Sequence, residues 1–123
     1  MTASGEGAWP VEIRAKQAER RVEIDFDDGV TADLSAELLR VESPSAEVQG
    51  HVPSQKVTLG GKRSVAITRI EPVGNYAVRI IFDDGHSTGI YSWPYLYRLG
   101  RDGDAIWQRY LDAVEAQGLS RDA

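Results

Sequence analysis

The chain of 123 residues has no cysteine. That absence excludes disulfides, thiolate nucleophiles and every zinc site built on sulfur. Histidine is nearly as scarce: only His51 and His86 occur, and neither is followed two residues later by an acid. A non-haem iron oxygenase needs two histidines and a carboxylate around an open coordination site, so its usual His-x-Asp pair is missing. No Ser-His-acid set can be assembled from spacing alone, and no other catalytic set is visible, so the expectation is a protein that is not an enzyme. Long apolar runs are also absent. None approaches the roughly 20 residues needed to cross a bilayer, and the start MTASGEGAWP has neither the basic opening nor the apolar segment of a signal peptide. The expected location is therefore the cytoplasm, with no membrane partner. Positive charge is short as well, with 14 Lys and Arg against 19 Asp and Glu and a net charge of -5. A phosphate-binding surface needs a concentrated positive field, so nucleic acid is excluded as a partner. Lys56, Lys62 and Arg63 form a thin basic stretch that reads as a solvated loop.

What remains is an ordinary globular composition, 41% hydrophobic and 27% charged, in a length that fits one domain with a sizeable core. Within it the tetrapeptide FDDG occurs twice, at Phe26–Gly29 and Phe82–Gly85. Aligned at an offset of 56, the copies pair Val22 with Val78, Ile24 with Ile80, Phe26 with Phe82 and Leu34 with Ile90. Apolar and polar residues alternate before each turn, the mark of a half-buried strand. Asp-Gly supplies the positive φ angles of a two-residue hairpin connection. A further strand is expected before each hairpin, from WPVEIR and from SVAITRIEPV.

After each hairpin a serine, Ser35 or Ser92, stands where its side chain can cap a helix. Pro94 suits the first turn of the second helix, and Gly100 is its expected stop. Ile106, Tyr110, Leu111 and Val114 recur at helical spacing between Asp102 and Gln117, predicting an amphipathic closing helix ended by Gly118. The fold class expected is α+β: a duplicated three-stranded antiparallel β unit plus short helix, with a C-terminal amphipathic helix. The segment 42–61 reads as a long connection with one short strand near Val57–Leu59. A single domain over residues 8–117 is expected, with residues 1–7 and 118–123 as flexible termini.

The acid pairs Asp27–Asp28 and Asp83–Asp84 read as turn formers, because adjacent strand residues point to opposite faces and serve one reacting atom poorly. LGGKRS at 59–64 lacks the first glycine of a phosphate loop, and Arg63 stands where the magnesium-binding hydroxyl belongs. Tyr91, Trp93, Tyr95 and Tyr97 crowd into seven residues. Helical spacing sends one face of this group into the core and leaves other rings for an interaction surface.

Three stretches, LLRVESPSAEVQGH at 38–51, IEPVGNYAVRIIFDDGHSTGIYSWPYLYRLG at 70–100 and the chain between, closely resemble the gamma-butyrobetaine hydroxylase-like N-terminal domain family. The resemblance covers roughly residues 9–115. It implies a small α+β domain that occurs alone in bacteria, at the front of carnitine-pathway oxygenases, and attached to ATPases with iron-sulfur clusters. In the hydroxylases such a domain is not catalytic and holds zinc with three cysteines and a later histidine. Carried over, Leu38, Leu39, Arg40 and Pro44 match the ligand-bearing stretch, and the cysteine positions fall on Ser43, Ser45 and Val48. His86 matches the histidine. Serine is a poor zinc ligand and valine is none, so no zinc of that kind is expected and no cofactor is implied.

The leading expectation is thus a non-catalytic accessory or protein-interaction domain, contacting its partner through His86, Tyr91, Trp93, Tyr95 and the SPSAEVQGH connection that ends at His51. Iron-sulfur assembly or oxygenase complexes are the partner classes implied by the resemblance. The alternative is a metal-binding protein or metal-dependent enzyme using His86 and His51. A third reading is a dimerisation module.

Overall fold

The computed structural model describes residues 8–122. The expected looseness of residues 1–7 and of residue 123 lies outside them. Among the described residues, six strands and four α-helices follow one another in a repeated order. β1 (Pro10–Lys16), β2 (Arg21–Phe26) and β3 (Thr31–Ser35) lead into α1 (Ala36–Val41). A short helix α2 (Ala46–Gln49) stands in the connection. Then β4 (Ile67–Val73), β5 (Ala77–Phe82) and β6 (Ile90–Ser92) lead into α3 (Trp93–Arg101), and α4 (Gly103–Ala116) closes the chain. Each trio of strands forms its own antiparallel sheet in sequential order. None of the described helices is long and apolar enough to cross a membrane.

Period-2 patterning decides which face of each sheet is buried. Val22, Ile24 and Phe26 of β2 and Val78, Ile80 and Phe82 of β5 all turn inward. They meet Leu39, Leu96 and Leu99 in one cluster that spans both copies of the unit. Both first strands carry a bulge at the same place, between Pro10 and Glu12 and between Ile67 and Arg69.

The FDDG connections differ from the two-residue turn expected. In each, only the glycine has positive φ, at Gly29 and Gly85. The glycine amide donates to the phenylalanine carbonyl, and the phenylalanine amide donates to the carbonyl of Val30 or His86. The loop therefore has three residues, a turn followed by a left-handed glycine. Its first acid clips the preceding strand: Asp27 Oδ1 accepts from the Trp9 amide at 3.1 Å, and Asp83 Oδ1 from the Ala66 amide at 3.0 Å. Its second acid closes the loop, Asp28 Oδ1 accepting from the Val30 amide and Asp84 Oδ1 from the His86 amide, both at 3.0 Å.

Beyond the turn the offset between copies grows by one residue. Val22 faces Leu34, whereas Val78 faces Tyr91 and not Ile90. Leu34 thus corresponds to Tyr91, both fully buried, while Ile90 is 41% exposed. A one-residue shift exchanges the faces of a strand, which corrects the pairing of Leu34 with Ile90. The extra residue lies in His86–Gly89, which leaves the ladder before β6 begins.

Ser35 accepts from the Leu38 amide and Ser92 from the Tyr95 amide, so both caps form as expected. Gly100 does not stop α3, which continues to Arg101. A Cβ there would lie 2.4 Å from the Ala32 Cβ, so the glycine is where α3 of the second copy meets β3 of the first. α4 ends at Ala116 with Gly118 at positive φ, as its spacing predicts. No strand forms at Val57–Leu59; the connection holds α2 and a short 3-10 turn at Pro53–Gln55 instead. The end of the described chain is held in place over 119–122, contrary to its expected looseness. Arg121 forks onto Glu37 at 2.7 and 2.8 Å, and the Gly61 amide donates to the Ser120 carbonyl.

Candidate functional site

The helices are traded between copies. Asp28, in the first turn, accepts through Oδ2 from the Tyr97 hydroxyl of α3 at 2.6 Å. Asp84, in the second turn, accepts through Oδ2 from Arg40 Nε of α1 at 2.7 Å. The second clasp is the more buried, and Lys62 Nζ joins it at 2.6 Å. Burial alone would raise the Asp84 carboxyl. The Lys62 ammonium, the His86 amide and the Arg40 guanidinium instead hold it at about 2.

His86 sits in the loop that Asp84 closes, its amide and carbonyl both bonded. Its ring is consequently pinned in the interior, 6% of the residue exposed. Nε2 lies 2.9 Å from Ser43 Oγ, and Nδ1 lies 3.2 Å from Glu47 Oε1. The Glu47 carboxylate can only accept, so Nδ1 donates to it and Nε2 of the neutral ring accepts from the Ser43 hydroxyl, whose oxygen also accepts from the Ser45 amide at 3.2 Å. That arrangement assigns the Nδ1–H tautomer, with Glu47 accepting. Burial pushes the imidazole down and Arg40 pushes it further, while Glu47 and Asp84 pull it up; the net direction is down. A second bridge, Ser45 Oγ to Thr88 Oγ1 at 2.7 Å, closes the cluster. Ser45 also caps α2 by accepting from the Glu47 amide, which is how Glu47 comes to face His86.

The structure therefore gathers Ser43, Ser45 and His86, three of the four positions matched to zinc ligands, into one hydrogen-bonded group. The fourth, Val48, is buried on α2. Among the described residues no three His, Cys, Asp or Glu side chains stand where they could hold a metal ion. Ser43, His86 and Glu47 have the connectivity of nucleophile, base and orienting acid. Ser43 has no exposed surface, however, and a Cβ on Gly89 would lie 2.5 Å from its Oγ, so no substrate carbonyl reaches it in this conformation.

The other expected contact residues separate. Tyr91 is fully buried, its hydroxyl donating to the Leu39 carbonyl at 2.6 Å and pushed up by burial. Tyr95 is half-buried and donates to the Glu42 carbonyl; burial, then Glu42, pushes its hydroxyl up to about 12. Trp93 is half-buried, with its indole N–H on the Asn75 carbonyl. The surface expected around His86 and Tyr91 is thus corrected: both are interior. His51 is exposed and belongs to a different place, its amide donating to Gln55 Oε1, and it borders a groove with Val52, Pro53 and Lys56. Glu47, Thr88 and the Arg40–Asp84 clasp were missed. The available signal was the second turn acid, which stands two residues before His86 as Asp28 does before Val30.

A family described as "Gamma-butyrobetaine hydroxylase-like, N-terminal" matches residues 13–97. Two solution NMR structures are similar at a TM-score of 0.81, with 41% and 45% identity. They cover 94% and 98% of this chain and 90% of each of theirs. A crystal structure of a protein with unknown function from Acidithiobacillus ferrooxidans, belonging to the DUF971 family, is 43% identical with a TM-score of 0.62. That match covers 74% of this chain and 91% of the other. None of the curated proteins matches.

Proposed function

The chain belongs to the gamma-butyrobetaine hydroxylase-like N-terminal domain family, and from that membership we propose that it is a cytoplasmic, non-catalytic accessory domain that binds another protein. The observation that carries this reading is the connection around His51. Every residue from 51 to 57 is exposed, Val52 by 49% and Val57 by 45%. Yet the segment is fixed: the Val57 amide donates to the Val48 carbonyl at 2.7 Å, and Lys56 Nζ pairs with Glu42 at 2.7 Å. Connections of this length are uncommon in compact domains unless they serve a function. An ordered loop that presents apolar side chains to water has the character of a contact surface.

The polar cluster around His86 supports the reading indirectly. Its groups satisfy one another, so its role is to anchor the connection at Ser43 and Ser45. Iron-sulfur assembly or oxygenase proteins are the partner classes that follow from the family. The test places a photo-crosslinking residue at position 52, or at exposed position 115 as a control, and adds purified iron-sulfur scaffold or oxygenase proteins. Cross-linking from 52 alone is expected, with binding lost in Val52→Asp/Val57→Asp at an unchanged urea midpoint. Binding that ignores the double substitution would remove this surface from the proposal.

A further inference from the structure

Between the end of α1 and one face of α4 lies a cavity of about 280 Å³. Its inner wall is apolar, formed by buried Val41 and Ile106 together with Ala113. The polar groups around it differ in what they have left to give. The Tyr110 hydroxyl donates to the Leu59 carbonyl at 2.6 Å. The Glu42 carboxylate, in a residue 7% exposed, is matched by Lys56 at 2.7 Å. Arg109 lines the same cavity from the outer part of α4, and among the described residues its side chain makes no hydrogen bond or ion pair. Two cations therefore face one anion, in a chain whose net charge is -5.

We propose that this cavity binds a small amphipathic carboxylic acid. The apolar tail covers Val41, Ile106 and Ala113. The carboxylate lies between the Arg109 guanidinium and the Lys56 ammonium. A guanidinium presents a planar fork that fits a carboxylate, and an ammonium with three donors can serve Glu42 and a ligand together. An amine would have to displace Lys56 from Glu42, and an alcohol would leave Arg109 unused. The volume lies at the lower end of small-molecule sites, which limits the tail to a short chain or a single ring. The cavity shares Lys56 and Val57 with the protein-binding surface proposed above, but its ligand is argued from Arg109 and the apolar wall and does not depend on that reading.

The test titrates the full chain with hexanoate, hexanol and hexylamine while following the methyl resonances of Val41, Ile106 and Ala113 by NMR. Saturable shifts from hexanoate, stronger than from either analogue, are the expected result. Arg109→Gln removes a side chain that makes no hydrogen bond or close ion pair among the described residues, its charge acting only at a distance on Asp102, and should leave the spectrum of the free protein largely intact. It should weaken hexanoate about tenfold, the equivalent of one hydrogen bond to a charged group. Ala113→Leu, which fills the wall, should abolish the shifts. The proposal fails if hexanoate gives no saturable shift, if hexanol or hexylamine binds as well, or if Arg109→Gln binds like the parent.

Discussion

Gly89→Ala tests how tightly the His86 cluster is closed. Gly89 does not need its conformational freedom, since it is not among the glycines with positive φ. What an alanine would need is room. Its Cβ would stand 2.5 Å from Ser43 Oγ, 3.1 Å from Tyr91 Cε1 and 3.4 Å from Pro44 Cδ. Ser43 cannot retreat without lengthening its 2.9 Å contact with His86, and the Tyr91 ring is enclosed on all sides. Overpacking of this kind costs about 1–3 kcal/mol, and with two of the three neighbours fixed the upper half of that range is expected. At this size the loss corresponds to a fall in Tm of roughly 10 °C. The decisive measurement is a double-mutant cycle by urea unfolding. Ser43→Ala removes the nearest atom, so Gly89→Ala should cost at least about 1 kcal/mol less in that background than in the parent. Equal losses in both backgrounds, or a neutral Gly89→Ala in the parent, would refute the close approach.

Three further outcomes follow from the same geometry. His86 is held below the ordinary imidazole range, so the unfolded chain takes up a proton first as pH falls, and stability drops from about pH 6.5 downward. The fall in urea midpoint between roughly pH 7.5 and 5.5 should be smaller in His86→Gln, and identical slopes would count against it. Asp84→Asn should cost about 3 kcal/mol because it strands a buried Arg40 whose Nη1 already lacks a partner, whereas the more exposed Asp28→Asn should cost clearly less; comparing the two denaturation curves checks the inequality. Arg121→Ala strands the Glu37 carboxylate, 7% exposed, and removes the guanidinium from over Trp107. A loss of about 2 kcal/mol and faster amide exchange at Gly61 and Arg63 are expected, the arginine being partly solvated.

The strands and caps were legible because period-2 patterning, Asp-Gly turns and Ser35 and Ser92 are local signals. The inserted residue was not. Both Ile90 and Tyr91 suit a strand, and an offset of 56 fits β2 against β5 and carries through the turn, so only cross-strand register separates them. Gly100 misled for a related reason: a glycine near a helix end reads as a stop, yet here it answers to Ala32, far away in the chain. The ligand-matched positions came together because the resemblance carried three-dimensional information. That His86 and the serines would satisfy one another where the family holds its ion followed from the resemblance, whereas an interior Tyr91 did not follow from aromatic spacing, which says nothing about how deeply β6 is buried. Glu47 escaped notice because its approach to His86 depends on the cap that Ser45 places on α2.

The crossed clasps make this chain an intramolecular dimer, with neither half complete alone. The acid that closes each turn finds its partner on the helix of the other half, so cutting the backbone near Pro53 should give two fragments that hold together and an isolated half that does not fold. The same exchange could run between molecules. With the connection opened, the second half of one chain can dock on the first half of another, satisfying the same clasps without a new contact being invented.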